Sequence, residues 1–308
     1  MNYKKRAALL IIMIASLCAL AVWGVARFRY HSLRTTADWL GRLPTQDSVV
    51  FYIDFAALRK AGLLQMLAGS QVVEEPEYKA FVMKTEFDYA RDLNAVLACF
   101  TPRAKYLVVE GRFDWNNLQA YAREQGGTCR DALCRMSGST PERKISFFPL
   151  RPNLMGLAVG PDESAAIDLE ADAARRRTLE IPDAPVWISI PPALLKTGEN
   201  MPQGTRMFAH TLEDADDVNL ALAPSGNRFE ARLNVQCRSD RQAGALAAQL
   251  GAITGMLREM IAREHQTPNP GDLSGVLTSG TFNHLGMRVL GSWPLEKSFV
   301  TGLLNGAQ

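Results

Sequence analysis

Cys129 and Cys134 are the residues of this chain whose type and spacing best fit a covalent role. They fall in the stretch Gly126-Gly127-Thr128-Cys129-Arg130-Asp131-Ala132-Leu133-Cys134, which reads as a turn running into a strand. The spacing fits neither a C-x-x-C redox motif nor a paired zinc knuckle. In an oxidising compartment it suits a local disulfide closing a loop; two reduced thiols are the alternative. Of the five cysteines, Cys18 lies in an apolar N-terminal run, and Cys99 and Cys237 fall on apolar strand-like runs. The last two read as small core residues.

The other reactive side chains form no catalytic pattern. The four histidines, His31, His210, His265 and His284, include no pair at helical i,i+4 spacing. They read as surface or satisfied residues. Glu213-Asp214-Ala215-Asp216-Asp217 is the densest acidic run. Calcium needs a shaped loop with a glycine and a closing glutamate, so a solvated helix end is the better reading. There is no G-x-x-x-x-G-K-[ST] loop, G-x-G-x-x-G turn, G-x-S-x-G elbow or H-E-x-x-H helix. Gly271-Asp272-Leu273-Ser274-Gly275 has the wrong spacing for an elbow. Phe113-Asp114-Trp115 and Ser292-Trp293-Pro294 sit at strand-to-helix junctions, where Trp packs. Arg175-Arg176-Arg177 reads as a soluble linker face rather than a lipid-binding patch. No catalytic, cofactor-binding or metal-ligating residue is assigned, and no cofactor is expected.

Charge narrows the function classes. The chain has 34 basic and 32 acidic residues. Lys4, Lys5, Arg6, Arg27, Arg29 and Arg34 are basic, and no acid accompanies them in the first 34 residues. Without them, 28 basic and 32 acidic residues leave the body at −4. A slightly acidic body is a poor footprint for nucleic acid, so no nucleic-acid partner is expected.

Between those basic clusters, Ala7 to Ala26 carries no charge. Such a run spans roughly 30 Å as a helix, the thickness of a bilayer core. It is expected to be a membrane anchor through Ala7, Leu9, Ile11, Ile14, Leu17, Leu20, Trp23 and Ala26. A cleaved signal peptide, with Ala19-Leu20-Ala21 as its site, is the rival. Both export the body, which places it on the periplasmic side of a bacterial inner membrane with the lipid bilayer as a partner.

The elements that must position any site are mostly hairpins. Val49–Ile53 reads as a buried strand, followed by helices over Ala56–Leu67 and after Pro76. Strands follow at Ala95–Phe100 and Tyr106–Glu110, then a helix capped by Asp114 and stopped by Gly126-Gly127. Strands at Ala132–Met136, Ile145–Leu150 and Leu154–Val159 precede a helix near Glu163–Ala174. Pro185–Ile190 then echoes the opening strand, and Ala193-Leu194-Leu195-Lys196 echoes Ala57-Leu58-Arg59-Lys60. Met207–Leu212 is expected to be helical and Val218–Ala223 a strand. Phe229, Ala231, Leu233 and Val235 alternate with Glu230, Arg232, Asn234 and Gln236, which marks a strand with one wet face. Ser239 and Gln242 open the longest helix as a capping box. Leu246, Leu250, Ile253, Leu257 and Met260 form its apolar stripe, with Gly244, Gly251 and Gly255 expected at close approaches. Strands at Val276–Gly280 and Met287–Gly291 and a helix over Leu295–Leu304 complete the chain.

The expected fold is therefore α+β: an N-terminal transmembrane helix followed by two similar, mostly antiparallel sheet-plus-helix halves, an internal duplication. The divisions are 1–34 for the anchor, 35–45 for a linker, 46–178 for the first repeat and 179–308 for the second.

Glu75-Pro76-Glu77-Tyr78, Phe81 and the run Phe87-Asp88-Tyr89-Ala90-Arg91-Asp92-Leu93-Asn94-Ala95-Val96 resemble a segment of an uncharacterised family of exported, membrane-anchored bacterial proteins. In that family a helix ends in a Gly-aliphatic-Asp-Pro type of turn before a strand. Here Glu86 stands for the Gly and Tyr89 for the Pro. The resemblance covers the first half of the body and implies export and an α+β architecture, with no activity to transfer.

These readings favour a non-enzymatic, membrane-anchored extracytoplasmic binding or assembly module. Its partner is an envelope protein or a small ligand held between the repeats. The alternatives are a hydrolase with a carboxylate pair and a purely structural envelope protein.

Overall fold

The computed structural model describes residues 33–64, 76–138, 140, 142–174, 176–191, 194–195, 203–226 and 228–304. Twelve strands form one sheet: β1 Val49–Asp54, β2 Leu93–Phe100, β3 Lys105–Gly111, β4 Thr128–Arg130, β5 Leu133–Ser137, β6 Lys144–Arg151, β7 Leu154–Gly160, β8 Val186–Ile190, β9 Asp217–Ser225, β10 Arg228–Gln236, β11 Thr281–Leu285 and β12 Arg288–Leu295. Their order is β11-β12-β10-β9-β8-β1-β2-β3-β7-β6-β5-β4, and every pairing is antiparallel.

The expected layout is corrected here. In place of a transmembrane helix followed by two similar sheet-plus-helix halves, the described residues form a single continuous sheet. No helix among the described residues is long and apolar enough to cross a membrane. The Ala7–Ala26 run lies outside the described residues. The opening strands β1 and β8 pair with each other, with Phe51 opposite Ile188 and Tyr52 opposite Trp187. Each would otherwise present an unpaired row of N–H and C=O groups, and their pairing removes both edges. Hydrogen-bonded strands thus fill the place where a cleft between halves was expected. Outward from this pair the order is β1-β2-β3-β7-β6-β5-β4 on one side and β8-β9-β10-β12-β11 on the other, so the two sides match over five strands and the first carries two more.

One sheet face lies under helices. The Trp115–Glu124 helix packs Leu118 and Ala122 on Phe147 and Met155. The long Asp240–Arg263 helix packs Ala243, Leu246, Ala247 and Leu250 near Val235 and Val289. Its stripe is buried only over the first half: Ile253 and Leu257 are half-buried, and Met260 is exposed. Gly244 would bring a Cβ to 3.3 Å from the His284 ring, whereas Gly251 and Gly255 meet nothing within 4 Å. Only the first of the three expected close approaches exists.

The opposite face is capped over the first half and across the joint as far as Trp187 on β8 and Ala221 on β9. Leu33, Trp39, Leu43 and Leu169 pack on Val50, Leu97, Val108, Leu154 and Trp187. Each such leucine contributes about 1.5–3 kcal/mol by leaving water. The cap begins with the Thr36–Leu40 helix, started by a Thr35–Asp38 capping box. It continues in a 3-10 turn, Ala165–Glu170, shorter than the expected helix over 163–174.

Val276–Gly280 is not a strand. Asp272 accepts the Ser274 N–H and starts a helix, Leu273–Ser279. Leu273, Val276 and Leu277 have i, i+3, i+4 spacing and pack on the helix-covered core, so helical periodicity prevails over the β-branched content. Glu86, at the position where the resembled family carries Gly, has φ 58°. The left-handed turn is kept, at a cost of roughly 1–2 kcal/mol for a residue with a Cβ.

Candidate functional site

The site lies where the cap ends. On β10 the alternation read from the sequence sends Phe229, Leu233 and Val235 into the helix-covered core. Glu230, Arg232 and Asn234 point to the other face, with paired or neighbouring Asn219, Ala221, Leu290 and Ser292 from β9 and β12. Little covers these residues except the connecting segment Glu180–Pro185, which crosses as a strap.

Both ends of the strap are tied: the Asp54 N–H donates to Pro185 O at 2.7 Å, and the other end is held at Arg177 and Glu180. Arg177 forms an ion pair with Asp217 and donates to Thr45 O at 3.2 Å, Ser48 O at 3.3 Å and Ser189 Oγ at 3.0 Å. It joins the N-terminal segment to β8 and β9. The soluble-linker reading of Arg175–Arg177 is corrected at this residue: the Arg177 side chain is only 19% exposed. Further along, Glu180 accepts from Arg288 at 2.9 Å and from Asn234 Nδ2 at 3.3 Å.

Two hollows flank the strap. The first, about 540 Å³, is bordered by Asn219, Glu230, Arg232, Asn234, Leu290 and Ser292. The second, about 550 Å³, is bordered by Thr36, Tyr52, Asp54, Trp187 and Pro224. Ile181, Pro182, Asp183 and Arg232 line both. In the second, Tyr52 stacks on Trp187 with centroids 5.5 Å apart. Burial, with Asp54 nearby, holds the Tyr52 phenol above its usual range.

Two buried polar atoms at these hollows have no hydrogen-bond partner: Asn219 Oδ1 and Trp187 Nε1. The Asn219 Nδ2 group is committed to Asp217 Oδ2 at 2.7 Å. Glu230 accepts from Ser292 Oγ at 2.7 Å and from Arg232 Nε at 2.6 Å. Those hydrogen bonds, Ser292 first, hold its carboxyl below the ordinary range.

The carboxylates nearby are engaged rather than poised as an acid–base pair. Asp54 Oδ1 accepts the Ala57 N–H at 2.7 Å and caps the Phe55–Lys60 helix. Glu110 is raised by burial and by the Asp54 charge, accepts from Asn153 Nδ2 at 3.2 Å and lines neither hollow.

The residues singled out from sequence lie elsewhere. Cys129 and Cys134 form a disulfide across the β4–β5 hairpin, at the far end of the sheet. Asp131 and Ala132 both take positive φ in the two-residue turn between those strands. Cys99 and Cys237 are buried thiols, and burial pushes Cys99 up to about 11. His210 meets Glu213 at 3.1 Å and His284 meets Asp240 at 3.8 Å, both away from the hollows. Trp115 Nε1 donates to Pro152 O at 2.8 Å, and Trp293 packs edge-on to Phe282. Within the acidic run, Asp217 pairs with Arg177 and Asp216 with Arg238. Among the described residues no group of three or more His, Cys, Asp or Glu is placed to hold a metal. Asn219, Arg232 and Ser292 were not legible as a site; the only sequence signal was the wet face of β10.

No family model and no curated protein matches the chain. Solved structures do. Crystal form III of TP0453, a Treponema protein, aligns at 12% identity over 87% of this chain and 97% of that one, with a TM-score of 0.50. Crystal form I of the same protein aligns at 14% identity over 89% and 99%, with a TM-score of 0.49. At such identity the likeness to form III is one of fold: this chain shares its overall strand layout with TP0453.

Proposed function

We propose that this chain is a non-enzymatic, extracytoplasmic binding or assembly module, held at the bacterial inner membrane through its N-terminal apolar segment, with the two hollows beside the strap as its ligand site. The observation that carries this reading is the polar face around the strap, where the cap ends. There, hollows of small-ligand size meet convergent polar side chains, two of which bear buried atoms without partners. The carboxylates beside the hollows hold structural roles, Asp54 as a helix cap, Glu230 on Ser292 and Arg232, and Glu180 on Arg288, which supports binding over hydrolysis. The disulfide supports an oxidising compartment. The charge-free run between basic clusters supports export and membrane attachment.

An assembly role has its own observation. Edge strand β11 ends at a hairpin whose Leu285 and Met287 are 74% and 50% exposed. Amide exchange of the full chain, with and without a low-mass extract of the cell envelope, tests the binding reading. Protection of β9, β10 and β12 is expected. No change there, or protection only at β11, refutes the hollows as the site. Protease accessibility in intact spheroplasts tests the compartment, and full protection of the body refutes it.

A further inference from the structure

We infer that the hollow beside Asn219 takes a neutral, polyhydroxylated ligand, a saccharide; this rests on the binding reading and adds the ligand's chemistry. Asn219 is 5% exposed, and its Oδ1 has no donor. Because Nδ2 already faces the Asp217 carboxylate, the free atom is the oxygen. A ligand that meets it must donate. Arg232 is half exposed and commits its Nε–H to Glu230, which leaves the terminal N–H groups of its fork as donors. A ligand that meets those must accept.

Charge removes the simplest candidates. An anion entering this hollow faces Glu180, Asp183 and Glu230; a cation faces Arg232 and finds Glu180 and Glu230 already paired with Arg288 and Arg232. The uncharged group that both donates and accepts at short spacing is the hydroxyl. Several hydroxyls fixed on one ring meet amide, carboxylate and guanidinium together. Ile181 and Leu290, each more than a third exposed, offer apolar surface to the C–H face of such a ring.

The test uses the full chain in a detergent without a sugar headgroup. The probes are neutral gluco-, manno-, galacto- and N-acetylglucosamine oligosaccharides, purified cell-wall sacculi, spermidine and inorganic phosphate. Calorimetry reads the soluble probes and co-sedimentation reads the sacculi. Saturable binding of an oligosaccharide, weakened about tenfold or more by Asn219→Leu and by Arg232→Gln, supports the inference and points to a free sugar. Binding to sacculi alone, lost in the same variants, supports it and points to a polymer. Arg232→Gln changes an exposed residue, so its result stands even if Asn219→Leu folds poorly. Binding of spermidine or phosphate at these residues with no saccharide bound overturns the inference. So does the absence of binding by every probe. If the envelope extract still protects β9, β10 and β12, only the ligand class falls; without that protection the binding reading falls too.

Discussion

The two sides of the sheet match over five strands outward from the β1–β8 joint but are finished differently. On the face away from the long helices, Leu33, Trp39, Leu43 and Leu169 seal an apolar patch of the first half around Val50, Leu97, Val108 and Leu154. The second half carries Asn219, Glu230, Arg232, Asn234 and Ser292 on that face and is crossed only by a tied strap. The difference teaches that a repeated strand layout does not fix what a face does. The cap comes from segments outside the shared strand order, and where it stops a core becomes a trough.

The comparison breaks most visibly at the cap. Leu43 is fully buried, so Leu43→Ala is expected to cost roughly 3–4 kcal/mol in urea unfolding. The accompanying loss of amide protection should concentrate in β1 and β2; equal loss in β10 and β12 contradicts a cap that stops at β9. The joint between the regions comes next. Arg177→Ala strands Asp217, whose side chain is only 18% exposed, and is expected to cost about 3 kcal/mol. It should also loosen the strap, which exchange at residues 178–185 would report.

At the far edge, the disulfide closes a short loop. Changing both Cys129 and Cys134 to Ser is expected to cost about 2 kcal/mol of stability while leaving ligand binding intact, since the bond is remote from the hollows. Glu86→Gly is expected to gain about 1 kcal/mol, because the φ of 58° is then unstrained. A thermal scan that moves downward in that variant contradicts the turn.

Acid sharpens the contrast with the smallest effect. Asp92 in the first half is held below its ordinary 3.8 by its hydrogen bond to Arg91, and Arg112 lies 2.7 Å from it. Glu230 in the second half is held below 4.5 by Ser292 and Arg232. Both carboxylates lose more by protonation in the folded chain than in the unfolded one. Their stabilisation is complete above those ordinary values and fades as the pH falls through the lowered folded ones. Denaturation midpoints should hold steady down to about pH 5 and decline below it. Asp92→Asn should flatten the decline more than Glu230→Gln, because Asp92 is buried and Glu230 is partly exposed.

Much of the fold's vocabulary was readable in the chain. Period-two alternation placed β10 and its wet face, and Asp114, Ser239 and the Gly126-Gly127 stop placed two helices, because each signal is local to a few consecutive residues. The spacing and turn chemistry around Cys129 and Cys134 also pointed to their bond. What tertiary structure decided involves partners distant in sequence. The pairing of β1 with β8 turned two expected halves into one sheet, and nothing in either strand names the other as its neighbour. Arg177 became a clamp rather than a solvated charge because Thr45 and Ser48, Ser189, and Asp217 converge on it from three separate stretches. The trough arose the same way. Asn219, Arg232 and Ser292 are ordinary polar strand residues until three strands align them and the cap stops short. Periodicity says which way a side chain points; only packing says whether anything covers it.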